Sequence, residues 1–498
     1  MNILLLSMPD SFEHTPTVCI RMPNGALTSL AGNLDPHHRT AVADLVLVQQ
    51  HVHSTIERLM AKMQPDLVGL SVMTFQRTTA KKIINLVRSL KPDVYIAVGG
   101  YDPSMAPDCY TETSSRAVDF IVRGEGEVTF RELLRALERG GGYDGIPGLS
   151  YREAGCFRHN PARPVSGLKG QEIRLPNRSA RVLSGYTMLG RQIDVVETSR
   201  GCTFDCSFCS IIAMRGRNFL PYSLDRVLED IRDARSHGAR AIFLVDDNIT
   251  LNVPRFEALC RAIIKAGLNR LDYIVQAMTS AIANHADTVV PLMRQAGFRY
   301  VFLGIENILE DDLKFLRASS KNTQREQGRK TGNATVQAIN ALHRHKMYVV
   351  GGLIVGNPSD TAESIQANLE FARRHIDWPY IQHPTPYPRT PMTRDFQDRG
   401  LIIDHNPEDY DGTTAVVRTH HIPAEEIEFL RWRAERWMKL RHWPVAVRHS
   451  PWFGLRNGAK MLAHTFRGTT IKSLLGLEDE HKAFERYRTL RRSERAYI

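Results

Sequence analysis

Short apolar runs alternate with amphipathic stretches along most of this chain of 498 residues, and this alternation limits the fold more than any other feature. Runs such as "NILLLS", "PDLVGLSVMT" and "VYIAVGG" predict strands, whereas "TTAKKIINLVRSLKPD" repeats apolar residues at helical spacing. Apolar strands separated by amphipathic helices favour parallel sheets that are covered on both faces. The sequence therefore predicts an α/β protein whose ligands bind at the carboxyl ends of the strands.

The alternation occurs in two series, and a segment of different composition separates them. Residues 1–145 form the first series, and residues 146–190, rich in Gly, Pro and Arg, form a connector. The second series, residues 191–400, holds about six strand–helix units, which predict a partial (β/α)6 barrel. Strand patterns stop in residues 401–498, where the sequence becomes basic and helical.

Three cysteines lie close together in "RGCTFDCSFCS", directly after the first strand of the second series. Thiolates bind zinc or iron–sulfur clusters. A structural zinc site needs four protein ligands, and no fourth Cys or His lies near Cys202, Cys206 and Cys209. Three thiolates on a cubane cluster would leave one iron open for chemistry. Chance clustering and a zinc site with a remote fourth ligand are the alternatives.

The number of cysteines and the absence of long apolar runs indicate where the protein works. Seven cysteines are too few for a disulfide scaffold in a chain of this length, and clustered thiols with a metal suit a reducing compartment. No apolar run approaches the roughly 18 residues that a membrane-spanning helix needs. The N-terminal "MNILLLSMPDSF" lacks the basic region and the cleavage site of a signal peptide. We therefore expect a cytoplasmic protein.

The Cys-x3-Cys-x2-Cys spacing after a barrel strand resembles the signature of radical S-adenosylmethionine (SAM) enzymes. This resemblance implies a [4Fe–4S] cluster on Cys202, Cys206 and Cys209, with the amino and carboxylate groups of SAM on the remaining iron. Reductive cleavage of SAM then gives a 5′-deoxyadenosyl radical, which takes a hydrogen atom from an unactivated carbon. The resemblance also implies SAM contacts from residues in or near the loop and at the ends of later strands: Phe208, Asp246, Asp247, Asn248, Gln276, Gly304, Glu306 and Gly356.

The first series resembles the Rossmann-like cobalamin (B12)-binding domain found in a large class of radical SAM proteins. "PNGALTSLAGNL" is similar to an early helix of that class, and "PDLVGLSVMT", "VGGYDPSMAPD" and "DFIVRGEGE" are similar to its strand-end loops. The Asp-x-His-x-x-Gly motif, whose histidine binds cobalt in some B12 domains, does not occur here. The resemblance implies cobalamin contacts from small or polar residues at the strand ends: Ser71, Thr74, Gly99, Gly100, Gly124, Glu125 and Gly126.

Two alternatives to a cobalamin domain remain open. The first series could be a scaffold that binds nothing and only packs on the barrel. A methylthiotransferase would need a second cluster on three N-terminal cysteines, and Cys19, Cys109 and Cys156 do not match the flanking sequences of that class.

The C-terminal region differs from the rest of the chain in its charge. Residues 431–498 contain sixteen Lys or Arg and six Asp or Glu, so this segment carries +10 of the total net charge of +11. It also holds four of the five tryptophans. Tryptophan with basic residues suits a membrane interface or a nucleic-acid backbone. A helical cap on the barrel is the third interpretation, and apolar residues bunched around Trp452 and Met461 favour lipid over nucleic acid.

The resemblance therefore implies a cobalamin-dependent radical SAM methyltransferase that acts on an unactivated carbon of a lipid or other hydrophobic substrate. Cyclisation, rearrangement or oxidation without methyl transfer is the alternative within the class, and a membrane- or RNA-associated protein with a structural cluster is a distant one. Expected partners are a reductant such as flavodoxin or ferredoxin, and the inner membrane face through peripheral contact. No general acid or base is assigned; residues that suit a pocket by position alone are Tyr101, Asp102, Tyr387 and Arg389.

Overall fold

The computed structural model describes residues 1–111, 118–164, 173–326 and 329–498. The chain forms two main sheets, a helical layer around each, and a helical C-terminal region. In chain order the strands are β1 (Asn2–Ser7), β2 (Ile20–Arg21), β3 (Arg39–Asp44), β4 (Leu67–Ser71), β5 (Tyr95–Gly99), β6 (Phe120–Val122), β7 (Leu149–Glu153), β8 (Cys156–His159), β9 (Thr187–Met188), β10 (Arg191–Val196), β11 (Ser199–Arg200), β12 (Leu220–Pro221), β13 (Ala241–Leu244), β14 (Asp272–Met278), β15 (Phe298–Glu306), β16 (Thr323–Glu326), β17 (Arg329–Asn333), β18 (Tyr348–Ile354) and β19 (Trp378–Gln382).

The helices follow the strands in both series and continue after the last strand. In chain order they are α1 (Gly25–Asn33), α2 (Val52–Met63), α3 (Arg77–Leu90), α4 (Tyr101–Met105), α5 (Gly126–Glu138), α6 (Ser210–Arg215), α7 (Leu224–Ser236), α8 (Val253–Lys265), α9 (Thr279–Asn284), α10 (Val289–Ala296), α11 (Glu310–Phe315), α12 (Thr335–Arg344), α13 (Ala362–His375), α14 (Pro391–Asp398), α15 (Ala424–His449), α16 (Pro451–Thr465), α17 (Ile471–Leu474) and α18 (Glu480–Ser493).

The N-terminal sheet has the order β3-β1-β4-β5-β6-β7-β8, and its first five strands are parallel. The apolar side chains of β1 and β4 are buried on both faces, as expected for a parallel sheet between two helical layers. Strands β7 and β8 form an antiparallel hairpin from the connector and extend this sheet at its edge. The carboxyl ends of β4, β5 and β6 lie at one edge of the sheet and face the second sheet.

The second sheet contains the partial barrel that the sequence predicts. Its six parallel strands have the order β19-β18-β15-β14-β13-β10, and the short antiparallel strands β9 and β2 continue it beyond β10. Alternate residues of β14 show the two faces: Tyr273 and Val275 are buried against the helices, whereas Ile274 and Gln276 point into the partly open interior. The predicted fold class is confirmed.

The C-terminal helices cross the barrel and reach back to the N-terminal sheet. Helix α15 packs on α13 and β19, and Arg431 of this helix is fully buried, with its guanidinium donating to Glu435, His383 and the carbonyl of Thr413. The last residue, Ile498, packs against the core of the N-terminal sheet. No helix within the described residues is both long enough and apolar enough to cross a lipid bilayer.

Candidate active site

The cysteine loop begins where the first barrel strand ends, and its first turn requires a glycine. Gly201 has a φ of +85°, and a Cβ atom there would come within 2.6 Å of the Asn218 carbonyl oxygen. The Gly201 N–H donates to the Asp247 carboxylate at 2.7 Å. Cys209 closes the loop at the N-terminus of α6, where its N–H donates to the Cys206 carbonyl at 3.1 Å. The turn at Gly201 therefore begins the loop next to the carboxyl end of β13, where Asp247 lies.

The middle of the loop is fixed from the opposite side of the barrel. The Ser207 N–H donates to the Leu316 carbonyl and its hydroxyl to the Phe315 carbonyl, both at 3.0 Å. The Ser207 carbonyl accepts from the Met392 N–H at 2.9 Å. Phe208 packs in the same apolar cluster as Phe315. These contacts hold the backbone of the loop before any cluster binds.

The thiol environment fits a buried iron–sulfur cluster. Burial, with smaller contributions from the neighbouring thiols of the loop, raises the pKa of Cys206 to about 12 and that of Cys209 to about 11. The Cys202 sulfur accepts from the Asn248 side-chain amide at 3.7 Å. Free thiolates at this spacing would repel each other, and a metal cluster removes that cost because it binds the deprotonated form. The three sulfurs thus suit a shared metal group.

Lys321 is a site residue that the sequence reasoning did not find. Its ammonium lies 2.6 Å from the Glu306 carboxylate and 5.9 Å from the centre of the Phe208 ring. Burial alone would lower the pKa of Lys321, but the ion pair with Glu306 outweighs it and raises the pKa. A largely buried lysine beside the cysteine loop places a fixed positive charge where an anionic ligand group would be stabilised.

Glu306 reaches this position through an irregularity at the end of β15. The register between β15 and β18 shifts between Gly304 and Glu306, and Glu306 has a φ of +62°. A Cβ atom on Gly304 would come within 2.8 Å of the Glu306 carboxylate. Because Gly304 has no side chain, the Glu306 carboxylate can fold back over the end of the strand and reach Lys321.

The three polar residues after β13 have different surroundings. Asp246 accepts from the Thr198 N–H at 2.7 Å and from the hydroxyls of Thr198 and Ser199 at 2.5 Å, and burial raises the pKa of Asp246 to about 7. Asp247 accepts from the Gly201 N–H and from Arg215 at 2.9 Å. Asp246 and Asp247 brace the backbone around the loop, whereas Asn248 contacts a cysteine directly.

The other predicted SAM contacts lie further along the barrel. Gln276 is exposed on the interior face of β14, in register with Phe302 of the next strand. Gly356 follows β18 with a φ of +103°, and its N–H donates to the Asp360 carboxylate at 2.8 Å. Gln276 is thus free to meet a ligand, whereas Gly356 forms a turn that Asp360 stabilises. The SAM contacts of both residues remain predictions.

A cavity of about 410 Å³ lies between the strand ends of the N-terminal sheet and the barrel. Gly100 shapes it with a φ of +102°, and a Cβ atom on Gly100 would come within 2.9 Å of the Val72 backbone. Thr74 lies outside this cavity, in a separate groove with Arg389. The other predicted cobalamin contacts all line the cavity: Ser71, Gly99, Gly100, Gly124, Glu125 and Gly126. The glycine-lined wall fits a large planar cofactor because it lets the backbone approach closely.

Glu125 does more than line this cavity, because two arginines of the cysteine-loop region pair with it. Arg200, which directly precedes Gly201, contacts Glu125 and also donates to Glu127 at 2.6 Å. Arg215, at the end of α6, lies 2.8 Å from Glu125. Although burial alone would raise the pKa of Glu127, the Arg200 charge lowers it to about 2. Ion pairs therefore join the two sides of the cavity.

The four residues that the sequence suggests for a pocket by position alone lie in different parts of the structure. Tyr101 lines the cavity, and burial raises its pKa. Asp102 accepts both guanidinium hydrogen bonds of Arg77 in a buried pair, away from the cavity. The Tyr387 hydroxyl donates to the carbonyl of Tyr410 at 3.3 Å. Of the four, Tyr101 is the residue that lines the cavity, and its helix α4 packs against α6, which follows the cysteine loop.

Comparison with known families agrees with this arrangement. Residues 196–372 match the radical SAM superfamily, and residues 22–134 match the B12 binding domain family. The chain is therefore an enzyme that carries a B12 binding domain followed by a radical SAM domain. The cofactors expected from the motifs are confirmed at the level of these domains: a [4Fe–4S] cluster, SAM and cobalamin.

Three relatives align with large parts of the chain. A methyltransferase of Pyrococcus horikoshii, described as uncharacterized, is 29% identical over 432 residues, which is 86% of this chain and 90% of the relative. The anaerobic magnesium-protoporphyrin IX monomethyl ester cyclase of Synechocystis is 26% identical and covers 97% of this chain and 98% of the cyclase. The hopanoid C-3 methylase of Methylococcus capsulatus is 28% identical over 55% of this chain and 52% of the methylase.

A solved structure shows the same fold. The radical SAM methyltransferase TsrM of Kitasatospora setae, with cobalamin and a [4Fe–4S] cluster bound, aligns with a TM-score of 0.63 at 20% identity. The alignment covers 86% of this chain and 84% of TsrM. The chain is thus similar in sequence and fold to cobalamin-dependent radical SAM methyltransferases.

Proposed function

We propose that this enzyme uses its cobalamin and its cluster together to methylate an unactivated carbon of a hydrophobic substrate. The observation that carries the proposal is the shared wall: Glu125 of the glycine-lined cavity pairs with Arg200 and Arg215, which flank the cysteine loop. These ion pairs place the cavity next to the cysteine loop. Cofactors bound at the two places would therefore act on one substrate between them.

The residues of the chain have distinct tasks in this reaction. When bound, the cluster supplies the electron, SAM the radical and the methyl group, and cobalamin the methyl carrier. Cys202, Cys206 and Cys209 would hold the cluster, and the Lys321 ammonium would stabilise the SAM carboxylate. Asp247 fixes the first turn of the loop through the Gly201 N–H. The buried aromatic and apolar surroundings exclude water from the radical.

The barrel interior supports a hydrophobic substrate. Phe302 and Tyr380 meet edge to face, with their ring centres 5.3 Å apart. Deeper in the barrel the partly buried interior side chains are also apolar: Phe243, Ile274, Val350 and Trp378. Apolar lining with few polar groups is typical of sites that bind apolar ligands. The hopanoid methylase, by its name, acts on a hopanoid.

A second candidate is ring closure or oxidation without methyl transfer. The specific observation in its favour is the similarity to the magnesium-protoporphyrin cyclase over nearly the whole of both chains. The same cluster, cobalamin cavity and apolar interior would serve that reaction, so the fate of the SAM methyl group decides between the two candidates.

The test is an anaerobic assay with the full chain, purified with cobalamin and reconstituted with iron and sulfide. We expect about four irons and one cobalamin per chain, and 5′-deoxyadenosine from SAM once a reductant is added. A pool of polyisoprenoid lipids with SAM deuterated in its methyl group should then give a product that is heavier by one deuterated methyl. Cys206→Ala should abolish 5′-deoxyadenosine formation, whereas Cys260→Ala, at a buried cysteine outside the loop, is the matched control.

Two results would contradict parts of the proposal. Iron without cobalamin would mean that the N-terminal domain is a scaffold. Formation of 5′-deoxyadenosine with an oxidised or cyclised product, and no transfer of the labelled methyl, would favour the second candidate.

A further inference from the structure

Helix α16 presents an apolar stripe to solvent as well as an apolar face to the protein. Its inner face is buried, with Phe453 and Met461 packed on Cys19 and on the ring of Trp443. The α16 stripe, on the outer side, consists of Trp452, Leu455, Ala459 and Leu462, which recur at three- and four-residue spacing. Trp452 is 85% exposed and Leu455 is 76% exposed. Residues at this spacing share one side of a helix, so the stripe is continuous.

The exposed apolar surface continues after α16. Phe466 follows the helix and meets Trp437 of α15 edge to face, with the ring centres 5.9 Å apart. The next segment exposes large aliphatic side chains to an unusual degree: Ile471 at 75%, Leu474 at 52%, Leu475 at 67% and Leu477 at 73%. Exposed apolar groups in such number mark an interaction surface.

The α16 stripe and the segment 471–477 contain no acidic residue, although Glu478 and Asp479 follow directly. Between Glu435 and Glu478 the sequence has no Asp or Glu and eight Lys or Arg. Within the described residues, five exposed cations of this segment make no ion pair: Arg441, Arg448, Arg456, Lys460 and Lys472. Arg456 and Lys460 each follow a stripe residue directly, so they lie on the flank of the stripe.

We propose that the α16 stripe, with the segment 471–477 and the flanking cations, binds the surface of an anionic lipid membrane. An amphipathic helix with Trp and Leu on one side and unpaired Arg and Lys beside them lies in a membrane interface, where the apolar side enters the acyl boundary and the cations meet anionic headgroups. The excess of positive charge selects this occupant over a second copy of the chain, whose corresponding surface would repel it.

The place of this surface in the fold suits an enzyme that works at a membrane. The junction of α15 and α16 packs under the amino ends of the barrel strands, where the Tyr348 ring lies 5.2 Å from the ring of His449, and the hydroxyls of Tyr300 and Ser450 are 3.2 Å apart. The cysteine loop lies at the opposite, carboxyl end of the barrel. Membrane binding would therefore leave the cysteine loop open to a soluble reductant. The proposal does not rest on the proposed methyl transfer.

The test uses co-sedimentation of the full chain with vesicles of phosphatidylcholine alone or with phosphatidylglycerol added. We expect binding to the anionic vesicles, which weakens as salt is added because counterions screen the cations. The double variant Trp452→Asp, Leu455→Asp should lose at least about tenfold in binding. Arg456→Gln with Lys460→Gln should weaken the preference for phosphatidylglycerol, because three of the five unpaired cations remain. Ile403→Asp, at an exposed isoleucine outside the C-terminal helices, is the matched control and should bind as the wild type does.

Each result decides the proposal. Equal binding of the wild type and the double Asp variant would overturn it, as would a failure of the wild type to bind anionic vesicles. A wild-type dimer that the Asp variant converts to a monomer, without vesicle binding, would assign the surface to a second copy instead. Reductive SAM cleavage with a soluble reductant should be the same in all variants, so a failure of the proposed function would appear separately.

Discussion

Arginines at the two ends of the barrel have opposite surroundings. At the carboxyl end, Arg200 and Arg215 are enclosed and bind carboxylates from both sheets. At the amino end, Arg441, Arg448 and Arg456 are exposed and have no ion pair within the described residues. A buried guanidinium that meets several carboxylates positions the backbone around it, whereas an exposed one without a partner is available to bind something else. The same residue type thus serves the architecture at one end and, by our proposal, recognition at the other.

The largest effect is expected from breaking the enclosed network. Arg200→Met would leave Glu127 and Glu197 without their shared cation and Glu125 with Arg215 alone, and uncompensated buried charge costs about 3–5 kcal/mol. The free energy of unfolding from urea titration at pH 7 checks this. The free energy of unfolding of Arg200→Lys should lie between those of the wild type and Arg200→Met, because a lysine replaces the charge but not the planar set of guanidinium donors. A loss below about 1 kcal/mol would show that the network does not position the loop.

The stability of the fold should also depend on pH through the contact between Glu13, near the N-terminus, and His464 of α16. Burial lowers the pKa of His464 to about 4, although Glu13, 3.9 Å away, opposes the shift. The unfolded chain therefore binds a proton more readily than the folded one between about pH 6.5 and pH 4, so stability falls as the pH falls through this window. The effect at pH 4 is on the order of 2 kcal/mol, allowing for the partial exposure of the ring.

His464→Gln should flatten this dependence. Urea titrations from pH 4 to pH 8 measure it, and the curves of the variant and the wild type should be parallel above pH 7, where the histidine is neutral in both states. Parallel curves over the whole range would show that the proton on His464 does not contribute.

A smaller effect is expected at the carboxyl end of the barrel, beside the cysteine loop. Lys321→Met would remove the buried cation near the cysteine loop and leave Glu306 without its partner. If the ammonium stabilises the SAM carboxylate, the affinity for SAM should fall about tenfold, equivalent to about 1.4 kcal/mol. Calorimetric titration of SAM into the reconstituted enzyme measures this. Lys314→Met, at an exposed lysine on α11, is the control. Unchanged affinity with lower stability would limit Lys321 to a structural role.

The features that could be predicted from the sequence are those that local spacing encodes. The six parallel barrel strands and the cysteine loop follow from patterns within a few residues, and both are present. Lys321 could not be predicted in the same way because it lies fifteen positions after Glu306, outside the strand-end motif that contains Glu306. The ion pair of Arg200 with Glu125 joins residues 75 positions apart, and no pattern in a single sequence reports such a contact.

The smallest effect on the fold is expected where the exposed cations are removed. Arg456→Gln with Lys460→Gln deletes two positive charges, one more than Arg200→Met, yet the free energy of unfolding should change by less than about 0.5 kcal/mol. Neither side chain holds a carboxylate, so no buried partner loses its counter-charge. Urea titration of this variant beside Arg200→Met makes the comparison direct. A loss as large as that of Arg200→Met would mean that the exposed cations stabilise the fold, and the distinction between positioning and recognition would then fail. With stability unchanged, the remaining consequence of these charges is measured on anionic vesicles.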